Sequence, residues 1–500
     1  MNKLIMAIDQ GTTSSRAIIF NEESEIVASS QMEVGLICPK SGWVEQSANE
    51  IWESVYQVIK EVMNNKLVDE TKIEAIGITN QRETTILWNK ETKEPIYNAI
   101  VWQSRQSQDI CEELIQNGYE QLVKEKTGLL INPYFSATKI KWILDNVDGA
   151  RKLAKEGKLL FGTIDTYITW RLTEGKLHIT DYSNASRTML YNIHTLDWDD
   201  ELLQLLDIDK SMLPKVVNSS EIYGYAEALK KINNHLNIPI ASMIGDQQAS
   251  LFGQCCFNMG EVKNTYGTGC FMLMNTKKEI VESKNGLLST IAWGINNEIE
   301  YALEGSVFIG GSAVQWLRDG MKMVNNSKDV ELYSDIDEIP GSMGVYVVPA
   351  FVGLGTPYWD NDARGAVFGI SRGTKKSHFI NATVESIAYQ SKDVMEVMKK
   401  EAGTLISSLS VDGGASANNY LIQFQSDILD CKIVRPTCLE TTALGAAYLA
   451  GLAVGVWKSK NELKIHQKIN QIFMPRMNKE KKDELYEGWL KAVNATRMFK

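Results

Sequence analysis

The sequence predicts an α/β protein of two related domains that face each other across a cleft. Three observations carry this expectation. The chain has 500 residues, more than one hydrophobic core usually holds, so two domains are expected, 1–252 and 253–500. Short apolar runs that read as buried strands alternate with segments of helical period along most of the chain. One unit, a strand, a Gly/Thr turn and a second strand, occurs twice, at residues 4–20 and 261–275. A hydroxyl-rich glycine turn gathers backbone N–H groups and hydroxyls around one point, a concavity suited to phosphate oxygens. A single turn of this kind is also an ordinary hairpin. One in each half suggests two domains that clamp a polyphosphate.

Composition narrows the function classes. The chain is 44% apolar and 23% charged, ordinary for a soluble globular protein. Its net charge is −10 and it has no basic block, which argues against nucleic acid and anionic membrane as partners. Seven cysteines, two of them adjacent (Cys255 and Cys256), show no Cys-x-x-Cys spacing and no Cys/His cluster. That usage predicts reduced thiols in a cytoplasmic protein and no zinc site. The apolar run Leu4–Ile8 meets Asp9 too soon to be a signal peptide. Ala443–Trp457 is rich in Gly and Ala but too short to span a bilayer, so it reads as a tightly packed buried helix and no membrane insertion is expected.

In chain order, Leu4–Ile8 and Arg16–Phe20 read as the strands of the first hairpin, and Glu25–Ser30 as a third. Asn49–Met63 carries apolar residues at 51, 52, 55, 58, 59 and 62, which is helical spacing. Ile73–Thr79 is a strand that delivers Asn80-Gln81-Arg82-Glu83 to its end. A helix is expected from Ser136, with Ser136 as its cap and Tyr134 in the loop before it. Asp181–Arg187 is a polar loop to which no role is assigned. Ile238–Ile244 reads as a strand ending in Gly245-Asp246-Gln247-Gln248, ahead of a small-residue helix. Beyond 253, Glu261–Tyr266 and Cys270–Asn275 flank the turn Gly267-Thr268-Gly269. Tyr301–Ser306 is a strand, Gly310-Gly311 opens a helix, His378–Lys400 is a long helix, and Ser408–Asp412 leads into Gly413-Gly414. The tail from Lys458 reads as peripheral helices.

Several of these positions can carry chemistry. Asp9, at a strand end beside the first turn, could hold a hydrated Mg²⁺ near phosphates. Arg82 donates in a planar fork and Glu83 accepts, so the pair could grip neighbouring hydroxyls, although adjacent opposite charges are also common on surfaces. Trp102 is either core or a pocket wall. Asp246 is a rigidly placed carboxylate or a helix cap. Gly413-Gly414 would let a flat ring or a phosphate approach the backbone. No P-loop, protein-kinase signature, Gly-x-Ser-x-Gly elbow or His-Glu-x-x-His is present.

The motifs Asp9-Gln10-Gly11-Thr12-Thr13-Ser14, Asn80-Gln81-Arg82-Glu83-Thr84, Gly245-Asp246-Gln247-Gln248, Tyr266-Gly267-Thr268-Gly269-Cys270-Phe271 and Val411-Asp412-Gly413-Gly414 occur in order. So do two longer segments, Tyr134–Asn146 and Gly365–Glu385. With them the chain resembles, nearly end to end, the FGGY carbohydrate kinases of the actin/hexokinase-like superfamily. The resemblance implies two RNase-H-like (actin-like ATPase) domains with an interdomain cleft. It also implies transfer of the γ-phosphoryl group of MgATP to a terminal hydroxyl of glycerol. By the family pattern Arg82, Glu83, Tyr134, Asp246 and Gln247 would bind the polyol, with Trp102 and Phe271 as its apolar wall. Thr12, Thr13, Ser14, Arg16 and Thr268 would contact phosphates, and Gly311, Gln315, Gly414 and Asn418 would complete the nucleotide site. Asp9 and Asp246 would hold Mg²⁺, with Asp246 as general base. A homo-oligomer, dimer or tetramer, is expected. Residues 225–238 lack both the Gly-rich inhibitor loop and the phosphorylated Tyr-His-Phe segment that some bacterial members carry. A kinase for a pentulose or another polyol, and a catalytically silent actin-like nucleotide switch, are the alternatives. The first should change the Arg82, Glu83, Trp102 and Phe271 set; the second would tolerate loss of Asp246.

Overall fold

The computed structural model describes the chain except residues 1, 2, 338, 361 and 500. Its main feature is a thirteen-stranded sheet. Numbered within that sheet, the strands are β1 (Leu4–Gln10), β2 (Ser14–Asn21), β3 (Ile26–Glu33), β4 (Ile73–Asn80), β5 (Ser220–Tyr225), β6 (Pro239–Gly245) and β7 (Val262–Tyr266). They continue with β8 (Cys270–Lys277), β9 (Leu288–Ile295), β10 (Glu298–Val307), β11 (Ser408–Asp412), β12 (Lys432–Pro436) and β13 (Ile469–Phe473). The spatial order is β13-β12-β11-β7-β8-β10-β9-β5-β6-β4-β1-β2-β3. One pattern appears twice in it. β1, β2 and β3 form an antiparallel meander, and β4 and β6 then add parallel on the other side of β1. β7, β8 and β10 form a second antiparallel set, with β9 antiparallel beyond β10, and β11 and β12 add parallel beyond β7. Between the two copies, Ser220 of β5 pairs with Ile295 of β9 and makes the sheet continuous.

β1 shows why the sequence adopts this layering. All seven of its residues are buried. Leu4, Met6 and Ile8 pack against helix α1 (Ala48–Met63) through Ile51, Val55, Val58 and Ile59. Ile5 and Ala7 face the opposite way, onto Ala443, Leu444, Ala446 and Ala447. Side chains alternate across a strand, so a run that is apolar throughout needs cover on both faces. α1 begins at Ser47, whose hydroxyl accepts the Glu50 N–H at 3.2 Å, a cap that contributes about 1 kcal/mol.

The cover on the second face comes from far along the chain. Reading on in chain order, α2 is Ser136–Asn146, α3 Asp246–Gly253, α4 Gly311–Asp319, α5 Lys376–Ala402, α6 Asn419–Leu429 and α7 Thr441–Ala453. α7, the buried helix expected from Ala443–Trp457, crosses α3 at near-backbone distance. A Cβ at Gly253 would collide with the Thr441 carbonyl, and one at Gly445 with the Ala249 carbonyl. A second large core joins β7, β8 and β11 to α5 and α6 through Met272, Met274, Ile387, Val411, Ile422 and Phe424. Leu288, Ile291 and Tyr301, from β9 and β10, instead join a cluster around Phe135, Ile140 and Tyr191 of the first half.

The structure corrects local expectations. Phe135, not Ser136, is the cap residue of α2, and the Ser136 hydroxyl donates instead to the Glu83 carbonyl at 3.1 Å. The polar segment 181–187 contains a short helix, Tyr182–Ala185, capped by Asp181. In the tail, Lys460–His466 and Lys479–Met498 are helical. Between them lies β13, which pairs with the open edge of β12. The cysteines are free thiols. Among the described residues no helix is long and apolar enough to cross a membrane.

Candidate active site

The register of the parallel strands brings the predicted residues to one edge of the sheet. Asp9 lies opposite Thr79, Gln10 opposite Asn80, and Asn80 opposite Gly245. The chain therefore leaves β1, β4 and β6 side by side, carrying Asp9, Arg82-Glu83 and Asp246 out of their carboxyl ends. In the second half Thr265 lies opposite Asp412. Carboxyl ends of parallel strands are where α/β sheets place their ligands.

Arg82 is the hub of this edge. Its Nε lies 3.2 Å from Asp246 Oδ1, and its Nη1 and Nη2 reach the two oxygens of Glu304 at 2.6 and 3.1 Å. Glu304 is shared with Arg187, whose Nη2 lies 2.9 Å away and whose Nε donates to Glu83 Oε1 at 2.7 Å. Arg82, Glu83, Arg187 and Glu304 are all buried. Burial alone would raise the Glu304 carboxyl, but Arg187 and Arg82 outweigh it and hold it down at about 2. Alternating charges are the arrangement in which buried ions offset one another's desolvation.

Glu83 has a left-handed backbone, φ 59°, an uncommon conformation for a side-chain-bearing residue. Its carbonyl accepts from the hydroxyls of Thr85 and Ser136, and its carboxylate from Arg187. Strain of this kind persists where the surroundings over-determine it, and it clusters at functional sites.

An aromatic wall faces the charges. Trp102 meets Tyr134 edge-on at 5.5 Å and Phe271 at 6.4 Å. Its Nε1 donates to Thr12 Oγ1 at 2.9 Å, so the wall touches the first Gly/Thr turn. The loop bearing Tyr134 is fixed by Lys139, a buried residue whose Nζ donates to the Tyr134 and Phe135 carbonyls. Burial pushes the Lys139 ammonium down to about 7. Asp246 is the first residue of α3, with Gly245 in the cap position, and its Oδ1 accepts the Gln247 N–H at 2.7 Å. Burial raises the Asp246 carboxyl, against the opposing pull of Arg82 and Lys263.

The two turns are built differently. The first is closed by Gly11 N–H to the Ser14 carbonyl at 2.9 Å and braced by Gln46, which donates to the Thr12 carbonyl at 2.7 Å. Thr13 is exposed, Thr12 half-buried and Ser14 buried. Beside it Arg16 pairs with Glu440 at 2.6 Å. Asp9 is buried, and burial pushes its carboxyl up to about 6; Asp246 and Glu440 add to the rise, and Arg16 opposes it. The second turn leans on the start of α4: Gly311 N–H donates to the Gly267 carbonyl and Ser312 N–H to that of Thr268. Gly413, at φ 82°, packs on the backbone of Tyr266, and Gly414 faces open space, where a Cβ would meet nothing within 4 Å. Gly311 thus lies against Gly267 and near Ala415, beside the open Gly414, with Gln315 exposed on α4. The Asn418 side chain accepts the Leu421 N–H at 2.8 Å and caps α6, a structural task additional to the nucleotide contact expected of it.

Sequence reasoning missed Arg187, Glu304, Lys263 and Asp412. Glu304 stands alone as a charge within a run that otherwise reads as a buried strand, and that was the available signal; Lys263 shares its run with Glu261. Arg187 lay in the segment given no role. Asp412 Oδ2 accepts from the hydroxyls of Ser250 and Thr441, tying β11 to α3 and α7.

Comparison with known proteins places this geometry. Residues 4–253 match the FGGY family of carbohydrate kinases, N-terminal domain, and residues 262–454 its C-terminal domain. A glycerol kinase of Geobacillus sp. (strain WCH70) is 60% identical over 503 aligned positions, covering all of both chains. One from Listeria monocytogenes serovar 1/2a is 59% identical over all of this chain and 99% of its own. Among solved structures, the Plasmodium falciparum glycerol kinase with ADP superposes with a TM-score of 0.92 at 36% identity, covering 99% of this chain and 98% of that one. A ligand-bound xylulose kinase from Lactobacillus acidophilus shares the fold, with a TM-score of 0.86 at 24% identity over 99% of this chain and 98% of that one.

Proposed function

The chain belongs to the FGGY family of carbohydrate kinases, and on that premise we propose that it phosphorylates glycerol with ATP, giving glycerol 3-phosphate. The observation that carries the reading is the contact between the two sites. Trp102 closes the aromatic wall of a polar pocket and at the same time donates to Thr12 of the phosphate turn. An acceptor against that wall lies next to the phosphates. Arg82, Glu83, Tyr134, Asp246 and Gln247 supply the fixed hydroxyl partners that a small polyol needs, and Trp102 and Phe271 cover its C–H face. The two turns, with Arg16 and the opening around Gly414, receive the nucleotide.

In the reaction, the terminal oxygen of glycerol forms a bond to the γ-phosphorus as the bond to the ADP oxygen breaks, and the proton passes to Asp246. Arg82 and the Gln247 N–H hold that carboxylate in place. The transition state of such transfers is loose, so positioning and charge stabilisation dominate. Mg²⁺ fits the residues present. Asp9 and Asp246 are hard oxygen donors, and the negative charge of Asp246 is one cause of the raised Asp9 carboxyl, a crowding that a divalent cation relieves. Mg²⁺ characteristically takes only one or two carboxylates and completes its shell with water and phosphate. When bound, it neutralises charge on the phosphate oxygens.

The test is ADP release in a coupled assay with glycerol, xylulose, ribulose or no acceptor. Turnover is expected with glycerol well above the others. Equal ADP release without an acceptor, or faster release with a pentulose, would overturn the assignment.

A further inference from the structure

Lys263 is a buried charge that the chemistry above leaves unused. It stands in β7 and is fully buried. Its Nζ donates to Gln247 Oε1 at 2.5 Å and to Thr265 Oγ1 at 2.8 Å. An ammonium group carries only donors, whereas a glutamine amide carries one acceptor oxygen and one NH₂. With the oxygen taken by Lys263, the amide cannot flip without setting its NH₂ against the ammonium. The NH₂ is therefore turned away from Lys263. Gln247 directly follows Asp246 at the start of α3, and its side chain helps to hold the Asp246 carboxyl down.

We propose that Lys263 is a positioning residue of the acceptor site: it locks the Gln247 amide so that the pocket offers a donor there, beside the acceptor carboxylates Asp246 and Glu83. A hydroxyl placed between them accepts from Gln247 and must aim its own proton at a carboxylate. Lys263 thereby sets the direction of the hydroxyl proton without touching the polyol. The inference rests on the proposed polyol site.

A double-mutant cycle tests it, with glycerol KM and ATP KM read separately. Lys263→Met removes the ammonium at similar length. Loss of one well-placed hydrogen bond predicts a rise in glycerol KM of about tenfold, with ATP KM unchanged. In a Gln247→Leu background the same change should add less than about twofold, because the amide it controls is gone. Equal effects in both backgrounds, with Gln247→Leu itself impaired, overturn the lock and leave the polyol site standing. A Gln247→Leu enzyme with the parent glycerol KM removes Gln247 from the site, and the lock with it. Should Lys263→Met fail to fold, Gln247→Glu decides. It keeps an oxygen for Lys263 and turns the outward donor into an acceptor. Its glycerol KM should rise about tenfold or more, and a parent-like KM overturns the proposal.

Discussion

Asp246→Asn separates a catalytic carboxylate from a helix-start residue. In the structure Asp246 Oδ1 accepts the Gln247 N–H at 2.7 Å, and an asparagine oxygen can keep that bond. Arg82 loses one partner at 3.2 Å but retains both oxygens of Glu304 at 2.6 and 3.1 Å. The fold should therefore persist, with a stability change within about 1 kcal/mol. Turnover should not. General bases contribute roughly 10²–10⁴-fold, equivalent to about 3–5 kcal/mol of barrier. The assay is glycerol-dependent ADP release at saturating glycerol, with ADP binding by calorimetry and a urea midpoint as controls. The parent rate should also fall as pH drops through the raised Asp246 pKa, since the base must be ionised, and the variant should lose that acid limb. A well-folded variant with near-parent kcat would falsify the base assignment and leave Asp246 a structural residue.

Three further outcomes follow from the charges. Asp9→Asn removes a carboxyl that folding raises from 3.8 to about 6. Such a group costs stability above its folded pKa, so the variant should be more stable than the parent by about 2–3 kcal/mol at pH 8. The gain should fade as pH falls from about 6 toward 4, measured by urea midpoints, while turnover is lost. Glu304→Gln leaves two buried guanidinium groups short of a counter-charge and should cost about 3–5 kcal/mol at neutral pH. Glu304 titrates at about 2 when folded, so the parent's contribution is complete above about 4.5 and disappears as pH falls through about 2; the gap between the two proteins should narrow over that window. Arg16→Ala should weaken ADP binding about tenfold or more by calorimetry while leaving glycerol KM unchanged.

The hairpin turns, the strand ends and the helix at Ala443–Trp457 were legible in the sequence because each is a local pattern: an apolar run, a glycine turn, or a stretch of small residues. The reach of α7 into the first half was not legible, because a helix that is apolar all round names no partner. Arg82 and Glu83 could be read as a pair by adjacency, yet their ion-pair partners lie 222 and 104 residues away, at Glu304 and Arg187. The Arg82–Glu83 approach itself is the longest in the group, at 3.9 Å. Ser136 reads as a cap by residue type, and only the position of the Glu83 carbonyl shows what its hydroxyl does instead.

The two sides of the site are charged differently, and the difference matches what each is proposed to bind. On the acceptor side Arg82 and Arg187 stand against Glu83 and Glu304, and Lys263 is drawn to both Asp246 and Asp412. Glycerol is neutral and enters without disturbing that balance. On the nucleotide side Asp9 and Glu440 flank Arg16, Asp412 lies near Glu440 with Lys263 as its opposing charge, and burial raises both Asp9 and Asp412. Each of these two carboxyls is raised further by Glu440. An acid-rich pocket repels free polyphosphate and favours one that arrives with a cation. The Arg16–Glu440 pair fits the same logic. It keeps the guanidinium occupied at 2.6 Å until a stronger anion competes for it, and a phosphate accompanied by its cation can do so. With the nucleotide at the proposed site, the few positive charges beside Asp9 would select the metal–nucleotide complex over the bare nucleotide, through the same carboxylates whose burial costs stability.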